Sequence, residues 1–408
     1  MAVVMVTDAA RGSAVAIIRS LLAAGHTVLA GDVSRLAPGL HCRGLHHGFR
    51  YPDPTRHGSE YRRTVLAVAA EFGADLLIPV TDATTEALGP DRKLPHSSCR
   101  VLAPEPEVLD RVHDKNTLLT LAADLGVPVP RTLRVTSRSD PATERFGQRA
   151  GWPVVVKPER STVAGPHGKL VKLEVSYATD PDQLAGRVAE VLPHCPALLQ
   201  EYFPGEGHGV EVLAHRGRIL AAFQHHRLRE VPFTGGASSF RRAVEPDPRL
   251  LEHTATLIAA TKWTGLAMVE FKVAPDQVRL MEINGRVWGS LPLAVAAGMD
   301  FPARLVDLAI NGPQSHPAEL ALNGPRSHPV DTDYRRGTTS RNLGLEITWG
   351  LTALRDGRRS DGLRVLASLA DPGPGYDIVR LSDPVPGLYE LVTIARHLTG
   401  KAIRVLRR

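Results

Sequence analysis

The chain is 408 residues long, enough for two or three packed domains of ordinary size. Its 43% hydrophobic and 23% charged residues exclude wholesale disorder and a membrane bundle; no apolar run approaches the ~18 residues that span a bilayer and the start lacks a signal-peptide pattern, so a cytoplasmic protein without membrane contact is expected. The net charge of +6 does not point to nucleic acid, because residues 331–408 carry 13 basic against 9 acidic side chains and the rest is near neutral at 36 against 34.

Residues 3–6 (Val-Val-Met-Val) read as a short strand, 7–13 as a polar turn, 14–24 as a helix ended by Gly25, and 26–30 as a second strand. This βαβ unit lacks the GxGxxG of a dinucleotide site, which weighs against an oxidoreductase. A helix over 61–72 and a strand over 75–80 continue the alternation, so a helix-covered parallel sheet is expected, with Thr81-Asp82 at a strand C-terminal end. Residues 110–150 read as a helical hinge broken by Gly126-Val-Pro-Val-Pro130. A strand-rich region begins near Trp152: an apolar strand ending in Lys157, a loop over 159–169 containing Ser161, a helix over 181–192 and a strand over 197–202. Further strands, a helix over 248–262 and a hairpin over 267–284 follow. Asn311-Gly-Pro-Gln-Ser-His-Pro317 recurs as Asn323-Gly-Pro-Arg-Ser-His-Pro329, a duplicated turn-rich linker.

The hairpin carries the clearest chemistry. Glu282 and Asn284 are two apart on one strand and must share a face, and Glu270 can lie beside Glu282 across the hairpin. Two carboxylates and an amide oxygen suit Mg²⁺, which takes a few protein oxygens and completes its shell with water and phosphate. Only eight of the 49 basic residues are lysines, so one that closes an apolar strand, Lys157, stands out as a point charge for phosphate. Arg227 and Arg229 alternate to one strand face beside a Thr234 to Ser239 loop rich in backbone donors, a pairing suited to an oxyanion. His225 and His226 have no third ligand at suitable spacing, so solvent-facing or hydrogen-bonded histidines are expected there. The three cysteines are too far apart for a disulfide framework or a Cys-rich zinc site.

Over residues 1–312 the chain resembles the ATP-grasp superfamily, especially bacterial carboxylate–amine ligases and the carbamoyl phosphate synthase large chain. The resemblance implies an α/β fold (an α+β ATP-grasp core): a Rossmann-like pre-ATP-grasp domain over 1–109, a two-lobed ATP-grasp domain over 110–312 (small lobe 131–203, large lobe 204–312), a linker over 313–330 and an accessory segment over 331–408. It implies ATP with two Mg²⁺, or Mn²⁺, held by Glu270, Glu282 and Asn284. Lys115, Lys157 and Ser161 would meet the phosphates, Gln200, Glu201 and Phe203 would form the adenine hinge, and Glu206 would bind ribose. Asn284-Gly285-Arg286 stands where many members have Asn-Pro-Arg, so the arginine is kept.

The expected activity is an ATP-dependent, ADP-producing carboxylate–amine ligase working through an acyl phosphate, with Arg286, Arg227 and Arg229 catalytic and small-molecule acid and amine substrates. Activation of bicarbonate is the alternative, and a non-catalytic ATP-binding protein the second. Arg335, Arg336, Arg341 and Asn342 cluster in the tail, which is expected either to contact an acidic substrate or phosphate through them or to form a homodimer surface.

Overall fold

The computed structural model describes residues 1–89, 99–165, 170–233, 235–313, 330–371 and 373–406. Most of the duplicated linker lies outside the described residues, as does Thr234. No helix among the described residues is long and apolar enough to cross a membrane.

The first domain is the expected parallel sheet. β1 (Val3–Val6) lies between β2 (Thr27–Asp32) and β4 (Leu76–Ile78), with β3 (His47–Arg50) and β5 (Arg100–Val101) outside in the order β3-β2-β1-β4-β5. Alternation decides which core each β1 side chain joins. Val4 and Val6 pack with Val15, Ile18 and Leu21 of α1 (Gly12–Ala23), whereas Met5 packs with Tyr61, Val65 and Ala69 of α2 (Gly58–Glu71) on the opposite face. At the end of β4, Thr81 caps α3 (Asp82–Ala87) in a capping box, which leaves Asp82 in the first turn.

α4 (Pro106–His113) and α5 (Lys115–Asp124) lead into the small lobe. Its sheet contains β6 (Thr132–Val135), β7 (Val154–Pro158), β10 (Ser176–Ala178) and β11 (Ala197–Glu201) in the order β10-β7-β11-β6, and a separate hairpin joins β8 (Thr162–Ala164) to β9 (Leu170–Lys172). Helices α6 (Ala142–Ala150) and α7 (Pro181–Val191) belong to this lobe, and apolar residues of α7 pack on the sheet. Thus part of the expected helical hinge is a strand, β6, paired with β11.

The large lobe is a seven-stranded sheet. β12 (Glu206–His215), β13 (Arg218–Val231), β14 (Ala237–Ala243), β15 (Gly265–Ala274) and β16 (Gln277–Asn284) run in the order β16-β15-β12-β13-β14. α8 (Pro248–Ala260) and α4 cover one face through Leu109, Leu250, Leu257 and Ile258, packed on Val210, Val212, Val269 and Phe271. The other face forms the cleft floor and also meets α9 (Leu291–Ala297) and α10 (Phe301–Asn311), which pack against α1.

The accessory segment is integral to this sheet. β17 (Thr339–Arg341) pairs with β14, and α11 (Leu343–Arg355) and α12 (Arg359–Ser368) lead to β18 (Gly375–Tyr376), which pairs with β17. α13 (Val385–Leu406) returns to the first domain, where Tyr389 stacks on His41 at 3.5 Å and Arg19 meets Asp383 at 2.9 Å.

Candidate active site

Lobes, first domain and accessory segment enclose a cleft of about 460 Å³, within the range that holds a small-molecule substrate. Its floor is set by strand register. Glu270 of β15 pairs directly with Glu282 of β16, and Asn284 pairs with Met268, so the three sequence-predicted metal ligands share the cleft face. Asn284 Nδ2 donates to Glu270 Oε1 at 2.8 Å and lies 3.4 Å from Glu282 Oε1. Burial pushes the Glu270 carboxyl above its ordinary range, opposed by the Arg227 guanidinium 2.6 Å away. A half-buried carboxylate that draws in a cation is suited to a metal ion: two carboxylates and an amide, with Arg227 standing in for positive charge, fit Mg²⁺.

Two lysines approach from other elements. Asp114 caps α5 by accepting from Thr117 N–H, which places Lys115 at its first residue; Lys115 Nζ donates to Ser161 Oγ at 2.7 Å. Lys157 near the end of β7 lines the same cleft, and desolvation pushes its ammonium down to about 8, with Glu282 acting in the opposite direction. Arg286, just past β16, lines the cleft and pairs with Asp82 of the first domain at 3.1 Å. Burial alone would raise the Asp82 carboxyl, but Arg286, His113 and Lys115 together outweigh it and hold Asp82 below its usual range. Asp82 was not expected at the site from its residue type, although its place at a strand C-terminal end marked it.

The hinge residues sit differently from the cleft residues. Gln200 is buried in β11 and donates to Thr132 Oγ1 at 3.1 Å; Glu201 is held by Arg131 at 2.5 Å; Phe203 lies under the Arg279 guanidinium at 5.0 Å. None of the three side chains lines the cleft among the described residues.

The expectation for Glu206 is corrected by strand phase. On β12, Gly207 and Gly209 pair with Lys272 and Glu270 and face the cleft, so Glu206 and His208 face the helix-covered side. Both glycines are demanded by close approach: a Cβ on Gly207 would come within 2.9 Å of Arg227 Cδ, and one on Gly209 within 2.4 Å of His225 Cε1. The acid that does reach this end of the cleft is Glu230, 3.3 Å from Arg227 and 3.1 Å from Lys272. Lys272 was missed, although it lies two residues after Glu270 and alternation alone places it on the same face.

Arg227 and Arg229 do not point at one anion. The β13–β14 register shifts on both sides of Arg229. Arg229 is thereby turned onto the buried Glu346 of α11, at 3.0 and 2.5 Å, and over the Phe240 ring at 4.5 Å; Arg227 alone lines the cleft. Beyond Arg227 the wall is made by Gly235 to Ser238, Arg241, Asn342, Leu345 and the first turn of α1, with Arg11, Gly12 and Ser13. Arg241 is paired with Asp377, which also accepts from Ser340 Oγ at 2.6 Å. Beneath them His225 Nδ1 lies 3.0 Å from Glu211 Oε1, both side chains fully buried, and burial pushes Glu211 up to about 8. Of the expected tail cluster only Asn342 reaches the cleft. Arg335 donates to Ala296 O, Arg336 pairs with Glu245 at 2.9 Å, and buried Arg341 donates to Ser368 O at 2.6 Å.

Comparison with known proteins agrees with this geometry. A family described as "ATP-grasp in the biosynthetic pathway with Ter operon" matches residues 194–323. The carbamoyl phosphate synthase large chain of Rubrobacter xylanophilus is 26% identical over 231 residues, 54% of this chain and 21% of the relative. That of Acidobacterium capsulatum is 23% identical over 207 residues, 49% and 18% of the two chains. The chain thus spans about a fifth of the length of these curated relatives. Among solved structures, the biotin carboxylase–nucleotide complex from Campylobacter jejuni superposes with a TM-score of 0.61 at 14% identity, covering 83% of this chain and 74% of that one. An L-amino acid ligase from Bacillus licheniformis does so with 0.57 at 13% identity, covering 76% and 74%. The family match thus identifies residues 194–323 as ATP-grasp sequence, and the relatives and the shared fold extend that similarity over most of the chain.

Proposed function

We propose that the chain is an ATP-dependent carboxylate–amine ligase that forms an amide through an acyl phosphate and releases ADP and phosphate. The observation that carries this reading is the paired Glu270–Glu282 floor with Asn284, faced by Lys115, Lys157 and Arg286 in one cleft that continues to a separate wall. Magnesium held by Glu270, Glu282 and Asn284 would supply charge against the ATP phosphates.

The chain's own residues divide the remaining work. Lys115 and Lys157 place cations against phosphate oxygens, and Ser161 fixes the Lys115 ammonium. Arg286, anchored by Asp82, offsets the charge that builds up as the γ-phosphoryl group moves to the substrate carboxylate. Arg227 binds that carboxylate, and the backbone of Gly235 and Gly236 borders the place where an amine would attack. The nucleotide's base is assigned to the backbone after β11, near Phe203. Arg229 is assigned to structure. No side-chain nucleophile is needed, because the acid is activated by phosphorylation.

Bicarbonate is the second acid to test, since the biotin carboxylase likeness covers most of the chain and two curated relatives are carbamoyl phosphate synthase large chains. Phosphate release is measured with ATP·Mg²⁺ across a panel of carboxylates and amines and, separately, with bicarbonate. Release that needs an acid and an amine together supports the ligase; release with bicarbonate alone transfers the site to the second reading; no release with any acid overturns both.

A further inference from the structure

The strand phase that turns Glu206 away from the cleft brings it to two histidines. His208 of β12 pairs across the sheet with His226 of β13; their rings stack 3° from parallel with centroids 4.7 Å apart. His226 Nε2 lies 3.1 Å from Glu206 Oε2, and the three potential ligand atoms all lie within 4.8 Å of one another. A tetrahedral zinc with bonds of ~2.0–2.1 Å holds its ligands roughly 3.3 Å apart, so a small closure of the three suffices. Both histidines are half-buried and Glu206 is exposed, which gives a formed base and an open entrance. From these residues we propose a second metal site, for zinc or a similar borderline divalent ion, formed by Glu206, His208 and His226 on the helix-covered face of the large sheet.

The donor set separates it from the cleft. Two imidazoles and one carboxylate favour zinc, cobalt or nickel over magnesium, whereas Glu270, Glu282 and Asn284 offer oxygen alone. The sheet stands between the two sites. The site is independent of the ligase reading. It would pin the start of β12, immediately after the hinge segment, to β13.

Gln224 supplies a specific lever. Its Oε1 accepts from Asp247 N–H at 2.8 Å and its Nε2 lies 3.2 Å from His208 Nδ1, so the amide donates to that nitrogen and leaves the proton on Nε2. Metal at Nε2 requires the other tautomer, with Nδ1–H donating outward and the Gln224 amide displaced. A glutamate at this position would accept from both Asp247 N–H and His208 Nδ1–H, completing the carboxylate–histidine–metal arrangement.

The test titrates the untagged, chelator-stripped full chain with Co²⁺ and reads visible absorption, then competes with Zn²⁺ and with excess Mg²⁺. The expected result is one equivalent of Co²⁺ with bands of low-coordinate, nitrogen-ligated cobalt, displaced by Zn²⁺ and not by Mg²⁺. Glu206→Gln, an exposed change that leaves the fold intact, and His226→Gln each weaken binding by at least ~10-fold, while Gln224→Glu strengthens it by about the same factor. A chain that gives no such bands overturns the site. So do bands that persist unchanged in Glu206→Gln and His226→Gln, or that vanish in Glu282→Gln, which alters only the cleft face.

Discussion

The two ends of the cleft are built differently. The end proposed for phosphate rests on one hairpin, β15–β16, whose acids come together because side chains alternate and two adjacent strands pair. The end proposed for the acceptor is assembled from residues near positions 11, 227, 236, 241 and 342, with a bulge in β13 and a strand borrowed from the accessory segment. Local register therefore defines the chemistry of the first, and tertiary packing defines the second. A consequence is that substitutions at the phosphate end act on chemistry, whereas several cationic substitutions at the acceptor end act on folding.

The largest expected effect is at the hairpin. Glu282→Gln lowers substrate-dependent phosphate release by roughly 10²–10³-fold with little change in thermal stability, because the proposed role of the lost charge is to hold the metal and the neighbouring lysines against the phosphates. Equal release by Glu282→Gln and the parent chain removes the metal assignment. Arg229→Ala acts in the opposite sense: it leaves Glu346 buried without its partner and lowers stability by about 3 kcal/mol in a denaturant titration, while turnover per folded molecule is kept. A stable Arg229→Ala protein with lost turnover would restore Arg229 to the catalytic set.

Arg227→Ala sharpens the boundary between the two ends. It raises KM for the carboxylate by ~10-fold or more and KM for ATP far less, as loss of one charge-assisted contact to the acid requires. An equal rise for both assigns Arg227 to the nucleotide. The smallest effect is a proton count. Lys157 titrates near 8, below the ordinary lysine range, so at pH 8 a fraction of the protein holds it neutral. Phosphate beside it favours the charged form, so ATP binding takes up protons at pH 8 and much less at pH 6.5. Calorimetry in buffers of different ionisation enthalpy reads this uptake, and Lys157→Met reduces it.

What could be read from sequence follows the same division. The βαβ unit, the hairpin and the shared face of Glu270, Glu282 and Asn284 were legible, because each depends on a period of two or 3.6 over a few residues. Lys157 was legible as a charge closing an apolar strand. Glu206 was placed one residue out of phase: Gly-Glu-Gly-His-Gly permits either phase until β15 pairs with it, and only then do Gly207 and Gly209 lie under Arg227 and His225. Arg229 was misplaced because the bulge depends on β14 and α11, neither of which marks residue 229 in sequence. The accessory strands β17 and β18 are two or three residues long, too short for periodicity to show, and join the sheet only through Phe240 and its neighbours.

The most direct test of the ligase reading follows oxygen. With a carboxylate active in the phosphate-release screen, labelled with ¹⁸O, and its amine partner, an acyl-phosphate route transfers one carboxylate oxygen to the released phosphate in each turnover. The account predicts singly labelled phosphate with ADP as the nucleotide product. Unlabelled phosphate, or AMP with pyrophosphate, would contradict it.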